Sequence, residues 1–156
     1  MEQEKKAYTK EELLEVVKNH EDIANKIRKE NQVHLDGFEA WLTAKGLAKK
    51  TIKNHLQNVD FYINEYLVRY EPVGAAKGCG FHVEGFLGDW FIRKTTWASR
   101  AEIKANAASF KKFYAFMLEK NEIEQNDFDA LIAMIKEGLP EWLEKIDEYD
   151  SMEFDW

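Results

Sequence analysis

The chain has 156 residues and a mass of 18.3 kDa, is 45% apolar and 33% charged, and sets 22 basic against 29 acidic side chains. These figures describe one ordinary soluble domain, long enough to bury roughly two thirds of its unfolded surface without a staple. No strictly apolar run is longer than Phe113 to Leu118, far short of the ~18 residues of a membrane span, and the charged start Met-Glu-Gln-Glu-Lys-Lys does not resemble a signal peptide. The expectation is a cytoplasmic protein without membrane contact, in a compartment where the lone Cys79 stays reduced.

The net charge of −7 is unevenly spread: residues 1–33 carry a net −1, residues 34–120 a net +4 and residues 121–156 a net −10. Each segment therefore presents its own field within about a Debye length, roughly 8 to 10 Å.

Thr9-Lys-Glu-Glu12 has the form of a capping box, in which the threonine hydroxyl accepts the N–H of the residue three positions on. A helix is expected there, with Leu13, Val16, His20, Ile23 and Ile27 as one apolar stripe that must dock on something. A first core helix follows with Leu35, Phe38, Trp41 and Leu42, closed by Gly46. From Thr51 the residues Ile52, Leu56, Val59, Ile63, Tyr66 and Tyr70 recur at helical spacing until Pro72, giving a long second core helix. Val73 to Gly80 reads as a flexible loop, and His82 to Lys94 as a third core helix with Val83, Phe86, Leu87, Trp90 and Phe91 inward.

Ser99-Arg-Ala-Glu102 is a second capping box opening a fourth core helix, which buries Ile103, Phe110, Phe113, Tyr114 and Met117 before Asn121. Asp127 is expected to cap a helix that Gly138 ends, with Pro140 opening a last one around Trp142, Leu143 and Ile146. No strand pattern is present, and an all-α bundle is expected.

The phrase Phe38-Glu-Ala-Trp-Leu-Thr-Ala-Lys-Gly-Leu-Ala-Lys-Lys-Thr-Ile52, with Ser99-Arg-Ala-Glu-Ile103 and Ser109-Phe-Lys-Lys-Phe-Tyr-Ala-Phe-Met117 later in the chain, resembles the N-terminal SAM-like, or core-binding, domain of phage integrases and other tyrosine recombinases. The resemblance covers about residues 33–126. It implies an orthogonal helical bundle, preceded by an amphipathic helix in residues 1–32 and followed by an acidic helical extension in residues 127–156. The chain departs from the family at His55, where a tyrosine is usual, and at Asn126-Asp127, where Asn-Pro is usual. It also lacks the family's catalytic domain: no Arg or His follows Asn126, so no cluster of positive groups can stabilise a phosphoryl-transfer transition state. A non-catalytic protein, neither cutting nor joining DNA, is expected.

The resemblance implies a duplex-DNA contact at the start of the second core helix and along the fourth. Lys49, Lys50, Thr51 and Lys53 fall on the first of these positions, and Arg100, Lys104, Lys111 and Lys112 on the second. On a helical wheel Arg100, Lys104 and Lys111 lie within roughly 40° of one another, a rail for phosphates. The helix starts at Thr51 and Ser99 would add N–H donors for anions. The acidic extension suggests two readings: a solvated helix pair packed through Phe128, Leu131, Trp142 and Ile146, or a set of carboxylates competing with phosphate for the rail. The alternative function is a protein-interaction or DNA-mimicking regulatory module of the same fold, holding a protein partner or a second copy through residues 9–29 or the acidic region. Met152-Glu-Phe-Asp-Trp156 reads as a docking peptide or a frayed end.

Other constellations carry no chemistry. Gly74-Ala-Ala-Lys-Gly-Cys-Gly80 lacks the Gly-Lys-Ser/Thr order of a phosphate loop. His20, His34, His55 and His82 show no ligand spacing, so neither metal nor cofactor is expected. Trp41, Trp90 and Trp97 read as core rather than as stacking platforms for bases.

Overall fold

Residues 7–153 are described by a computed structural model, in which all regular structure is helical. Five helical rods form the bundle: α1 (Lys10–Ala44), α2 (Lys49–Phe61, continued by a π-turn over Tyr62–Tyr66), α3 (Phe81–Gly85, a π-turn over Phe86–Trp90, then Phe91–Lys94), α4 (Arg100–Glu119) and α5 (Gln125–Glu153). Phe154, Asp155 and Trp156, on which part of the proposed docking peptide falls, lie outside the described residues.

Both capping boxes form: Thr9 Oγ1 accepts from the Glu12 N–H and Ser99 Oγ from the Glu102 N–H, each at 3.1 Å. α1 is one helix of 35 residues rather than the two expected, so the boundary drawn at residue 32 falls inside it. The reason is a continuous inward row of Ala24, Asn31, Leu35, Phe38 and Leu42. The interior Gly37 does not break it, because the Phe116 ring packs where a Cβ would stand, 2.8 Å from Cζ. Gly46, at φ +81°, closes α1 in the left-handed region that glycine tolerates.

α2 keeps its expected inward positions through Ile63 and Tyr66, although from Tyr62 it widens into the π-turn. The extra residue rotates the exit, so Leu67 and Val68 become buried while Tyr70, the last expected inward position, is exposed. Val73 to Gly80 is tied down rather than flexible: Tyr62 OH donates to Gly78 O and Tyr114 OH to Ala75 O, both at 2.7 Å and both buried. Burial raises both phenols well above the ordinary tyrosine value, since an ionised phenolate would lose its water there.

The core is aromatic. Tyr62 meets Phe110 at 4.5 Å and Phe86 at 5.2 Å, Tyr66 meets Trp90 at 5.3 Å, and Phe38 meets Phe113 edge-on at 5.3 Å. Trp90 is buried and Trp41 half-buried, whereas Trp97 is exposed, edge-on to Phe61.

α5 is also one helix rather than two, beginning before Asp127 and passing through Pro140. Asp127 sits in its first turn, where Oδ2 accepts from the Glu124 N–H at 3.0 Å. The rod docks along α4 and on α3 by burying Leu131, Ile135, Trp142, Leu143 and Ile146. Pro140 lies on its exposed side, so the helix continues where packing outweighs the proline's lost hydrogen bond.

Candidate functional site

The eight sequence-predicted contacts sit on α2 and α4, and all are exposed except Lys112, which is half-buried. On α4 the apolar residues turn inward, leaving Arg100, Ala101, Lys104, Ala105, Ala108 and Lys111 as its outer face. No carboxylate occurs between Glu102 and Glu119. The result is a lane of cations spaced by alanines, whose short side chains let a large polyanion approach.

The lane is not uniformly free. Arg100 Nη1 bonds Asp147 Oδ2 of α5 at 2.6 Å and Leu143 O at 3.3 Å. Both charged side chains of this pair are about half exposed (50% and 55%), so solvent screens it and its worth is at most about 1 kcal/mol. Of the eight positions, Arg100 alone takes part in the ion pairs formed among the described residues, the others being Arg93–Asp89 and Lys145–Asp89. One acidic side chain of α5 thus reaches the rail.

Arg100 and Lys111 border a groove of about 630 Å³ between α4 and α5, lined by apolar Ile132, Ile135, Leu139 and Leu143 and by the carboxylates of Glu144 and Asp147, with the exposed Pro140 beside them. Lys112, half-buried, lies near His55 of α2. There the His55 ring nitrogen Nδ1 lies 2.8 Å from Ser109 Oγ, which also accepts from Asn58 Nδ2 at 3.0 Å and donates to Ala105 O at 3.0 Å. With the hydroxyl proton committed to Ala105, Nδ1–H of His55 is assigned as the donor. Burial lowers the His55 pKa, and the nearby Lys112 ammonium lowers it further.

Lys49 and Lys53 line a different groove, of about 570 Å³, between α1 and α2, beside Glu39. Along the same seam stand Asp36 and Asp60. Lys50 and Thr51 complete the exposed first turn of α2, which starts at Lys49 rather than at Thr51 and has no side-chain cap. Five of the eight residues thus divide among the α1–α2 seam (Lys49, Lys53), the α2–α4 seam (Lys112) and the α4–α5 groove (Arg100, Lys111), while Lys50, Thr51 and Lys104 stand exposed outside all three.

The remaining reactive side chains are structural. Burial pushes the Cys79 thiol up to about 12, Asp127 adding to the effect, and Sγ donates to Asp127 O at 3.7 Å. His20 Nε2 lies 2.8 Å from Tyr70 O, fastening α1 to the end of α2. Among the described residues no three His, Cys, Asp or Glu side chains gather to hold a metal, and no helix is long and apolar enough to cross a membrane.

One feature was only half legible in the sequence. Of the expected α1 stripe His20 meets the body and Ile27 is half-buried, but the docked face runs through His20, Ala24, Arg28 and Asn31, which meet Tyr70, Val68 and Asn64. Leu13, Leu14, Val16, Val17 and Ile23 are each more than half exposed. The first ten residues of the helix overhang the bundle by about 15 Å. Sequence periodicity fixes the stripe; it carries no information on where the body beneath it stops. No family model, no curated protein and no solved structure matches the chain.

Proposed function

We propose that the protein is a non-catalytic interaction module that holds a protein partner through the projecting start of α1. The observation that carries this reading is the ridge of Leu13, Leu14, Val16 and Val17, apolar, more than half exposed and borne on a preformed capped helix. Isolated apolar side chains on a surface mean little, but a contiguous patch of them marks an interaction site. A rigid amphipathic helix also binds with little ordering cost. A photoreactive side chain at position 17, with the same group at Glu148 as control, tests the reading in cells that make the protein. Discrete cross-linked products from position 17 alone support it; products no different from those at Glu148 overturn it.

A second reading is contact with duplex DNA, in keeping with the resemblance to integrase core-binding domains. The α4 lane favours it: Lys104 and Lys111 are exposed and no carboxylate lies between Glu102 and Glu119. Lys104→Glu with Lys111→Glu should then weaken duplex binding by tenfold or more at low salt and flatten its salt dependence by about two counterions. A salt curve unchanged by the double substitution removes the lane from the contact.

A further inference from the structure

Ser109 is fully buried and its hydroxyl is saturated: it donates to Ala105 O and accepts from Asn58 Nδ2 and His55 Nδ1. His55 therefore keeps its Nδ1 proton in either charge state, and Nε2 is the nitrogen that titrates. Among the described residues every buried side-chain nitrogen or oxygen has a partner, so Nε2, which bonds to no protein atom, opens to solvent. The Lys112 ammonium joins none of the ion pairs formed among those residues and opens to solvent in the same way.

The charge that acts on His55 is the like charge of Lys112. On α2 the residues one turn away, Thr51, Ile52, Asn58 and Val59, are uncharged, and on α4 Lys112 is flanked by Ser109, Ala108 and the further cation Lys111. Two basic nitrogens thus stand together at the mouth of the α2–α4 seam without an acidic partner, an arrangement that an anion completes.

We propose that His55 and Lys112 form an anion site that takes a phosphate group, from a nucleic-acid backbone or free in solution, and holds it more tightly once His55 is protonated. Protonation adds an outward N–H donor and leaves the bond to Ser109 in place. By linkage, the bound phosphate strengthens the hold of the ring on its proton to the same extent. Lys111 and Lys104 continue the positive surface along α4. The nucleic-acid source rests on the duplex reading above, whereas the free-phosphate source stands apart from it.

NMR titration of the full chain tests the site. The His55 ring signal, identified by its loss in His55→Gln, is followed against pH in chloride and in inorganic phosphate at equal ionic strength. Phosphate should move the midpoint upward relative to chloride. Lys112→Gln should raise the midpoint in chloride, since the like charge is gone, and cancel the phosphate-induced shift. Equal wild-type midpoints in the two salts, or a phosphate shift unchanged in Lys112→Gln, overturn the site. Anisotropy of a labelled duplex oligonucleotide separates the sources: acidification from about pH 7.5 to about pH 5.5 should strengthen wild-type binding about fivefold more than binding by His55→Gln. With the phosphate shift intact, equal gains in the two proteins assign the site to free phosphate, and a duplex that binds neither protein removes the duplex reading alone. Duplex binding without any phosphate shift removes this site and leaves that reading standing.

Discussion

The indole of Trp142 lies against Gly88, so closely that a Cβ on the glycine would stand 2.6 Å from Nε1. The same ring also covers Gly138, where a Cβ would fall 2.4 Å from Cζ2. Two glycines on different rods thus make the slot by which α5 locks onto α3. Alanine in a helix gains about 1 kcal/mol of propensity over glycine, but here overpacking against a buried, doubly clamped ring costs more. Gly88→Ala and Gly138→Ala should each destabilise by about 1–3 kcal/mol in urea unfolding. Gly74→Ala, which meets nothing within 4 Å, should be neutral or slightly stabilising. Equal effects at all three would sink the account.

Tyr114→Phe removes one of the two donors to Ala75 O, leaving the Gly78 N–H at 3.1 Å. Losing a buried hydrogen bond whose acceptor keeps a second partner costs about 0.5–1.5 kcal/mol. The loss should appear as a lower denaturation midpoint and as faster amide exchange confined to the Val73–Gly80 connection. Unaltered exchange there would mean that the loop is held by something else.

His55 binds its proton less readily in the fold than in the unfolded chain, chiefly through burial and then through Lys112. Its contribution to stability is therefore complete above about pH 6.5 and declines as the pH falls below that value, where the unfolded state takes up the proton first. Replacing it with Gln should lessen the slope of melting temperature against pH between about 7 and 5. A His55 ring titrating at or above 6.5 by NMR refutes the assignment.

Cys79, with its thiol pushed up to about 12, should alkylate far more slowly than a free cysteine at pH 8, because almost none of it is thiolate. The ratio of iodoacetamide rates before and after denaturation measures this directly. Comparable rates would place the thiol in open solvent.

Helix positions and both caps were legible from local chemistry: Thr9 and Ser99 cap where the Thr/Ser-x-x-Glu spacing puts them. Lengths were less so. Gly138 and Pro140 read as the end of one helix and the start of the next, yet both lie inside one rod, because Trp142 fills the space above the glycine and the proline faces out. Such compensation depends on packing against other rods. The π-turn over Tyr62–Tyr66 was invisible for a similar reason, since its rings answer Phe86 and Trp90, some twenty residues on, rather than a signal in the local sequence. Among the proposed contacts, Lys104 and Lys111 share a face as the wheel requires. Lys49 and Lys53 turn into the α1–α2 seam, which depends on how α2 rolls against α1.

The π-turns at Tyr62–Tyr66 and Phe86–Trp90 face each other through edge-to-face rings, which makes chain length itself a structural constraint. Deleting any one residue from 62–66 would restore a regular helix and swing everything downstream by about 100°. That would carry Leu67 and Val68 toward water and drag the Gly78 and Ala75 carbonyls off their tyrosine hydroxyls. Homologous chains should therefore tolerate substitution in these ten positions far better than insertion or deletion.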